Sequence, residues 1–131
     1  FSKIVLNKII NAPFVIGVEN FLRNYNKKIN LFIASAAPEK ELKIITQKKS
    51  LSSYFRGIYG APVFKEEIVK KIINRNNYDK SKVLFIGDAM SDYNAAKANC
   101  IKFIALKNKF SPQFPKNTIT INNMNNLNLY I

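Results

Sequence analysis

The sequence predicts an α/β fold in which helices cover both faces of a mostly parallel sheet. Short apolar runs alternate with amphipathic segments along the chain, as in repeated strand-helix units. The chain has 131 residues, the size of one domain, and an apolar fraction of 47% that is sufficient for a hydrophobic core. We therefore expect a Rossmann-like, three-layer αβα sandwich.

Four segments carry apolar residues at helical spacing, which predicts helices over residues 17–28, 38–49, 65–76 and 92–99. Pro38 suits the first turn of the second helix, whose inward face we assign to Leu42 and Ile45. Two glutamates open the third helix, where they complement the helix dipole. Ser91 is a candidate cap for the fourth.

Five short apolar runs predict strands over residues 31–35, 57–59, 83–87, 102–106 and 118–121. The run at 31–35 ends in Ser35, and the run at 83–87 ends in Gly87, directly before Asp88. Residues 1–13 differ from the rest and read as a helical stub that ends at Pro13. The Asn-rich tail from residue 122 onward gives no clear pattern.

Charge and cysteine content limit the classes of function. Lys and Arg outnumber Asp and Glu by 21 to 8, for a net charge of +13, which permits a nucleic-acid or other polyanion partner. The cations are dispersed lysines among many Asn and Ile, however, and this mixture also follows from a nucleotide-composition bias. One cysteine, Cys100, and no histidine exclude an internal disulfide and a zinc site of the usual kind. We expect a cytoplasmic protein with no membrane span and no secretory leader.

The polar residues of interest follow the predicted strands. Ser35 ends one strand, Lys65 lies just beyond the next, and Asp88 follows a third. The carboxyl ends of parallel strands form one edge of a sheet, where ligands bind. The sequence therefore predicts a single site at this edge.

Asp88 and Asp92 are two of only three aspartates in the chain. Carboxylates four residues apart, between a strand end and a first helical turn, can share one space, where a cation relieves their repulsion. Oxygen ligands without His or Cys favour Mg²⁺. The alternative is a turn carboxylate at Asp88 and a dipole-matching residue at Asp92. Gly87 favours the metal hypothesis because it lets the backbone approach a ligand.

The hydroxyl of Ser35 and the N–H of Ala36, at the start of a helix, can cradle a phosphate oxygen. A serine at a strand end is also a common turn or cap residue. Lys65 follows a turn shaped by Gly60 and Pro62, which can aim its ammonium inward, although most lysines simply face water.

Taken together, Ser35 after a small apolar strand, the run G-x-P-x-x-K ending at Lys65, and G-D-x-x-x-D at 87–92 resemble the haloacid dehalogenase (HAD) superfamily of phosphatases. The likeness runs from about Gly17 to Leu106 and is greatest to the phosphoglycolate phosphatase-like group. It implies that Ser35 and Ala36 bind a phosphoryl group and that Lys65 neutralises its charge.

The same resemblance implies Mg²⁺ as cofactor, with Asp88 as a direct ligand. Asp92 would support the metal through water or orient the lysine. The expected reaction is hydrolysis of a small phosphorylated metabolite through an aspartyl-phosphate.

One part of the family pattern is not in this sequence. The family's nucleophile and its general acid lie in a D-x-D pair on a central strand, but Asp79, Asp88 and Asp92 form no such pair. The resemblance therefore implies the C-terminal part of a HAD phosphatase, inactive alone, with the nucleophile outside this chain. Residues 1–13 would be the end of a helical cap or a connecting segment, and residues 14–131 the core.

This interpretation leaves the central place in the sheet empty. The remainder of the protein, or a complementing chain, would then supply a strand, or the two open edges would close on each other. The alternatives in function are a basic α/β module that binds nucleic acid or another polyanion, which the dispersed lysines make the weaker expectation, and a HAD-like pseudoenzyme scaffold.

Overall fold

A computed structural model of the chain describes residues 3–6 and 17–130. Its strands are β1 (Lys3–Leu6), β2 (Asn30–Pro38), β3 (Gly57–Ala61), β4 (Val83–Gly87), β5 (Lys102–Leu106) and β6 (Ile119–Ile121). Its helices are α1 (Val18–Tyr25), α2 (Glu39–Lys48), α3 (Lys65–Asn76) and α4 (Met90–Ala98), and short 3₁₀ segments lie at Ser52–Tyr54, Lys80–Lys82 and Met124–Tyr130.

The six strands form one sheet in the order β3-β2-β1-β4-β5-β6, and each neighbouring pair is parallel. Each connection from β2 to β5 passes through one helix, as parallel strands require. The order reverses between β1 and β4, which is where α/β sheets place their ligands. The predicted three-layer α/β fold with a mostly parallel sheet is confirmed.

The central position of the sheet is filled by this chain's own β1, contrary to our expectation that it would be empty. Lys3–Leu6 pairs with β2 on one side and with β4 on the other. Ile4 and Val5 are β-branched and suit an extended strand, and a central position gives every backbone group a partner. The expectation of a helical stub is therefore wrong for these four residues. The boundary predicted between residues 13 and 14 lies outside the described residues and stays a prediction.

Apolar residues alternate between the two faces of the sheet and build a core on each. Leu31 and Ile33 of β2 pack on one face, towards α1 and the Met124–Tyr130 segment. Phe32 and Ala34 point to the other face, towards α3 and α4. β4 alternates in the same way, and all five of its residues are buried. Burial on both faces explains why these strands have continuous apolar sequences.

Some local expectations are corrected. In α2, Thr46 is buried beside Leu42, whereas Ile45 is 36% exposed and does not belong to the inward face. Pro38 ends β2 and caps α2 instead of lying in its first turn. The tail contributes to the core, since Met124 and Leu127 are buried.

None of the helices in the described part of the chain has the length and apolar content needed to cross a membrane.

Candidate active site

The carboxyl edge of the sheet brings the predicted site residues together. Leu6 of β1 pairs with Ile33 on one side and with Ile86 on the other. Ser35 and Asp88 each lie two residues beyond this level, on the strands that flank β1. Two strand spacings separate them, which is about 10 Å. Ser35 and Asp88 therefore flank the carboxyl end of β1.

Lys65 reaches the same edge from the first turn of α3. Its Nζ lies 2.8 Å from Oδ1 of Asp92 and donates a second bond, also 2.8 Å, to Oγ of Ser91. Both partners lie in the first turn of α4. The lysine side chain is only 7% exposed and Asp92 is fully buried, so this is a desolvated ion pair.

The second oxygen of Asp92 holds the turn between β4 and α4. Oδ2 accepts hydrogen bonds from the backbone N–H of Asp88 at 3.1 Å and of Ala89 at 3.0 Å. A carboxylate in the first helical turn also complements the helix dipole. Asp92 is therefore fully engaged in orienting Lys65 and in shaping the turn that presents Asp88.

Gly87 makes this arrangement possible. A Cβ added at Gly87 would collide with the carboxylate and the Cβ of Asp92. We expected this glycine to admit a ligand, but the group that packs closely against it is the Asp92 side chain. Close packing against Asp92 therefore explains why the G-D-x-x-x-D run begins with glycine.

Ser35 is buried at 4% exposure near the end of β2, and its Oγ accepts a bond from the N–H of Ala37 at 3.2 Å. A hydroxyl that accepts one bond keeps its own proton available for a phosphoryl oxygen. Ala36 is exposed and lies inside β2, three residues before α2 begins. Our expectation that its N–H opens a helix is therefore wrong, although its place at the carboxyl edge stands.

Asp88 follows β4 and is partly exposed, with its Oδ1 buried. Within residues 3–6 and 17–130, no group of three His, Cys, Asp or Glu side chains is placed to hold a metal ion. The metal-binding roles of Asp88 and Asp92 stay predictions. Of the two roles considered for Asp92, its contacts favour orientation of the lysine.

The third aspartate, Asp79, lies away from this edge. It precedes the 3₁₀ turn that leads into the amino end of β4, and its Oδ1 accepts bonds from the N–H and Oγ of Ser81. The residues that follow Leu6 in the sequence are Asn7, Lys8 and Ile9. No D-x-D pair follows the central strand of this chain.

Ser91 is the contributor that our sequence reasoning missed. We expected it to cap α4, but Ala89 takes the cap position and Ser91 lies within the first turn. Its hydroxyl is instead the second acceptor for Lys65. The sequence offered one indication, since Ser91 directly precedes Asp92. The bond to Lys65 could not be predicted, however, because it depends on the approach of α3 to α4.

Comparison with known proteins agrees with this geometry. The profile of the haloacid dehalogenase-like hydrolases matches residues 5–106. The chain belongs to this family. None of the curated proteins compared with it matches.

Several solved structures of HAD proteins share the fold. The core domain of a candidate phosphoglycolate phosphatase from Streptococcus pneumoniae has a TM-score of 0.75 and 15% identity, over 98% of this chain and 93% of that chain. A HAD-superfamily hydrolase from Geobacter sulfurreducens has a TM-score of 0.77 and 19% identity, over 89% of this chain and 60% of that chain. A HAD hydrolase from Bacillus subtilis, bound to magnesium, has a TM-score of 0.76 and 17% identity, over 88% of this chain and 55% of that chain. The chain thus shares its fold with nearly all of the Streptococcus pneumoniae core domain, and it spans little more than half the length of the other two structures.

Proposed function

We propose that this HAD chain forms part of a Mg²⁺-dependent phosphatase that hydrolyses a small phosphomonoester. The observation that carries the proposal is the position of the Lys65 ammonium. Asp92 and Ser91 hold it at the edge of the sheet where Ser35 and Asp88 also lie. Family membership supports the same class of reaction.

The chain's own residues suit a phosphoryl group. An ammonium has three N–H donors, and two of those on Lys65 are used by Asp92 and Ser91. The third can donate to a phosphoryl oxygen, and the Ser35 hydroxyl can donate to another. In phosphoryl transfer, negative charge is spread over the equatorial oxygens, so fixed donors and a positive charge are the main requirement.

The donor set at Asp88 fits Mg²⁺ in part. Mg²⁺ is usually held by one or two carboxylates together with substrate phosphate and water, and Asp88 can supply one carboxylate. Asp92 would act indirectly, since its oxygens already serve Lys65 and two backbone N–H groups. When bound, the ion would neutralise charge on the phosphoryl oxygens.

The nucleophile in this proposal comes from outside the 131 residues. Because β1 already fills the central place in the sheet, that carboxylate would reach the carboxyl edge without adding a central strand. A carboxylate would attack phosphorus, the ester P–O bond would break, and the leaving oxygen would take up a proton. Water would then hydrolyse the aspartyl-phosphate to orthophosphate and restore the carboxylate. The chain alone is expected to be inactive, because none of its three aspartates is available for this step.

The partners we propose are a small phosphorylated metabolite and the segment, or second chain, that carries the nucleophile. Cytoplasmic location stays an expectation from the single cysteine. The polyanion-binding alternative gains no support from the family match or from the fold.

The test uses the protein as encoded, with any residues that adjoin these 131. We expect it to hydrolyse p-nitrophenyl phosphate with Mg²⁺ and to lose that activity in EDTA. Asp88→Ala should abolish hydrolysis. Asp79→Ala removes the same charge at the opposite end of β4, and its rate of hydrolysis should stay within about twofold of that of the unsubstituted protein. Activity that persists in Asp88→Ala or without Mg²⁺ would contradict the proposal. Binding of orthophosphate without any hydrolysis would favour the scaffold alternative.

A further inference from the structure

A second cavity lies beside α4, away from the candidate active site. Its volume is about 320 Å³, and it is lined by α4, by the start of β5 and by the residues just before β6. Lys102 opens β5 at the amino end of that strand, whereas Asp88 lies beyond the carboxyl end of β4. The cavity and the candidate active site share no residue among those described.

Three lysines from three different segments line this cavity: Lys97 of α4, Lys102 of β5, and Lys116 of the loop before β6. None of its described lining residues is acidic. The sequence from residue 93 to residue 131 contains no Asp or Glu at all. The local excess of positive charge therefore attracts an anion.

Aromatic rings form one wall of the cavity. The ring of Tyr93 meets that of Phe103 edge to face, with centroids 5.7 Å apart. Phe103 also contacts Phe85 of the core at 6.4 Å and Phe114 at 5.6 Å, which restricts its movement. The Nζ of Lys97 lies 5.8 Å from the Tyr93 centroid. Two aromatic rings, set at 89° to each other, thus lie beside the lysine charges.

We propose that this cavity binds a small organic anion that carries a flat ring, of the nucleoside monophosphate class. A ring can pack against Tyr93 and Phe103 while Lys97 and Lys116 pair with the phosphate. The volume is at the lower end of the range for ligand pockets, so it suits one ring system and one anionic group. This inference does not depend on phosphatase activity, because it uses none of the residues of the first site.

The test measures binding of adenosine 5′-monophosphate to the 131-residue chain by isothermal titration calorimetry in EDTA. We expect it to bind more tightly than adenosine or orthophosphate alone, since both halves of the ligand make contacts. The double variant Lys97→Gln/Lys116→Gln should weaken binding at least tenfold. The control Lys48→Gln/Lys70→Gln removes two exposed lysines of α2 and α3 and should change affinity less than twofold.

Three results would overturn the inference. The first is no binding of adenosine 5′-monophosphate at millimolar concentration. The second is an equal loss in the control variant, which would show that only net charge matters. The third is loss of binding in Ser35→Ala, which would place the nucleotide in the first site. Binding that survives Ser35→Ala supports the second cavity even if the phosphatase proposal fails.

Discussion

The Lys65 ammonium lies 2.8 Å from the Asp92 carboxylate, although the strands that lead to these residues are not neighbours. Lys65 follows β3 and Asp92 follows β4, and β2 and β1 lie between those strands in the sheet. Because α3 crosses over the sheet and packs against α4, the two first turns meet. The ion pair thus links the two halves of the sheet at its carboxyl edge.

Removing one member of the Lys65–Asp92 pair should destabilise the fold. We expect Asp92→Ala to lower the free energy of unfolding by about 3 to 5 kcal/mol, because it leaves a buried ammonium without its counter-charge. It also removes the acceptor for two backbone N–H groups. Urea denaturation monitored by circular dichroism measures the change.

The exposed pair Lys43–Glu39, at 3.4 Å, provides the matched control. Lys43→Ala should cost less than about 1 kcal/mol, since water screens this pair. Similar losses in Lys43→Ala and Asp92→Ala would show that the Lys65–Asp92 pair is not energetically distinct.

Gly87→Ala should destabilise the chain and displace Asp92. The added methyl group would occupy the space of the Asp92 carboxylate, and overpacking of a closed site costs about 1 to 3 kcal/mol. Gly57→Ala is the control, because the atoms nearest to its added Cβ belong to the end of the Tyr59 side chain, which is half-buried and can turn away. Equal melting temperatures for the two variants would contradict the packing role of Gly87.

Cys100→Gly should stabilise the chain. Cys100 has a φ of +57°, and its N–H and that of Ile101 bond to the carbonyls of Lys97 and Ala96 at the end of α4. A residue with a Cβ in this left-handed conformation costs about 1 kcal/mol relative to glycine. Thermal unfolding measures the gain. Cys100→Ala, which keeps the Cβ, should change stability by less than about 0.5 kcal/mol, and an equal gain there would implicate the thiol instead.

Mg²⁺ with orthophosphate should raise the melting temperature of the chain by about 3 to 6 °C at concentrations near tenfold above the dissociation constant. Asp88→Asn should remove this rise. Asp79→Asn also neutralises one carboxylate, at the other end of β4, and this variant should still show the rise in melting temperature. K⁺ at matched ionic strength is the control for screening. A rise of equal size in Asp88→Asn would exclude Asp88 as the ligand.

The sequence predicted the class of the fold and the edge of the sheet at which Ser35, Lys65 and Asp88 lie. Continuous apolar runs such as 83–87 identify strands buried on both faces, and each such strand ends before a polar residue. Local pattern marked Ser35, Lys65 and Asp88 as candidates, and the resemblance of their combined motifs to the HAD superfamily favoured them over the turn, cap and surface alternatives. Their metal and phosphate roles stay predictions.

Other features depended on contacts between distant segments. The role of Ser91 changed from helix cap to lysine acceptor because α3 brings Lys65 to it. Ile45 occupies an apolar position in its helical pattern, yet no neighbour covers it fully. Cys100, and not the C-cap residue Asn99, adopts the left-handed conformation after α4, and no local pattern distinguished the two.

The sequence by itself determined the parallel α/β architecture, because apolar periodicity and strand-end polar residues are encoded within short windows. Only the tertiary structure decided that Lys3–Leu6 takes the central place in the sheet and that Asp92 is committed to Lys65. The physical reason is that both features depend on contacts between residues far apart in the sequence. A strand pairs with whichever strands lie beside it, and a buried charge needs a partner that the fold brings to it, so neither can be read from a short stretch of sequence.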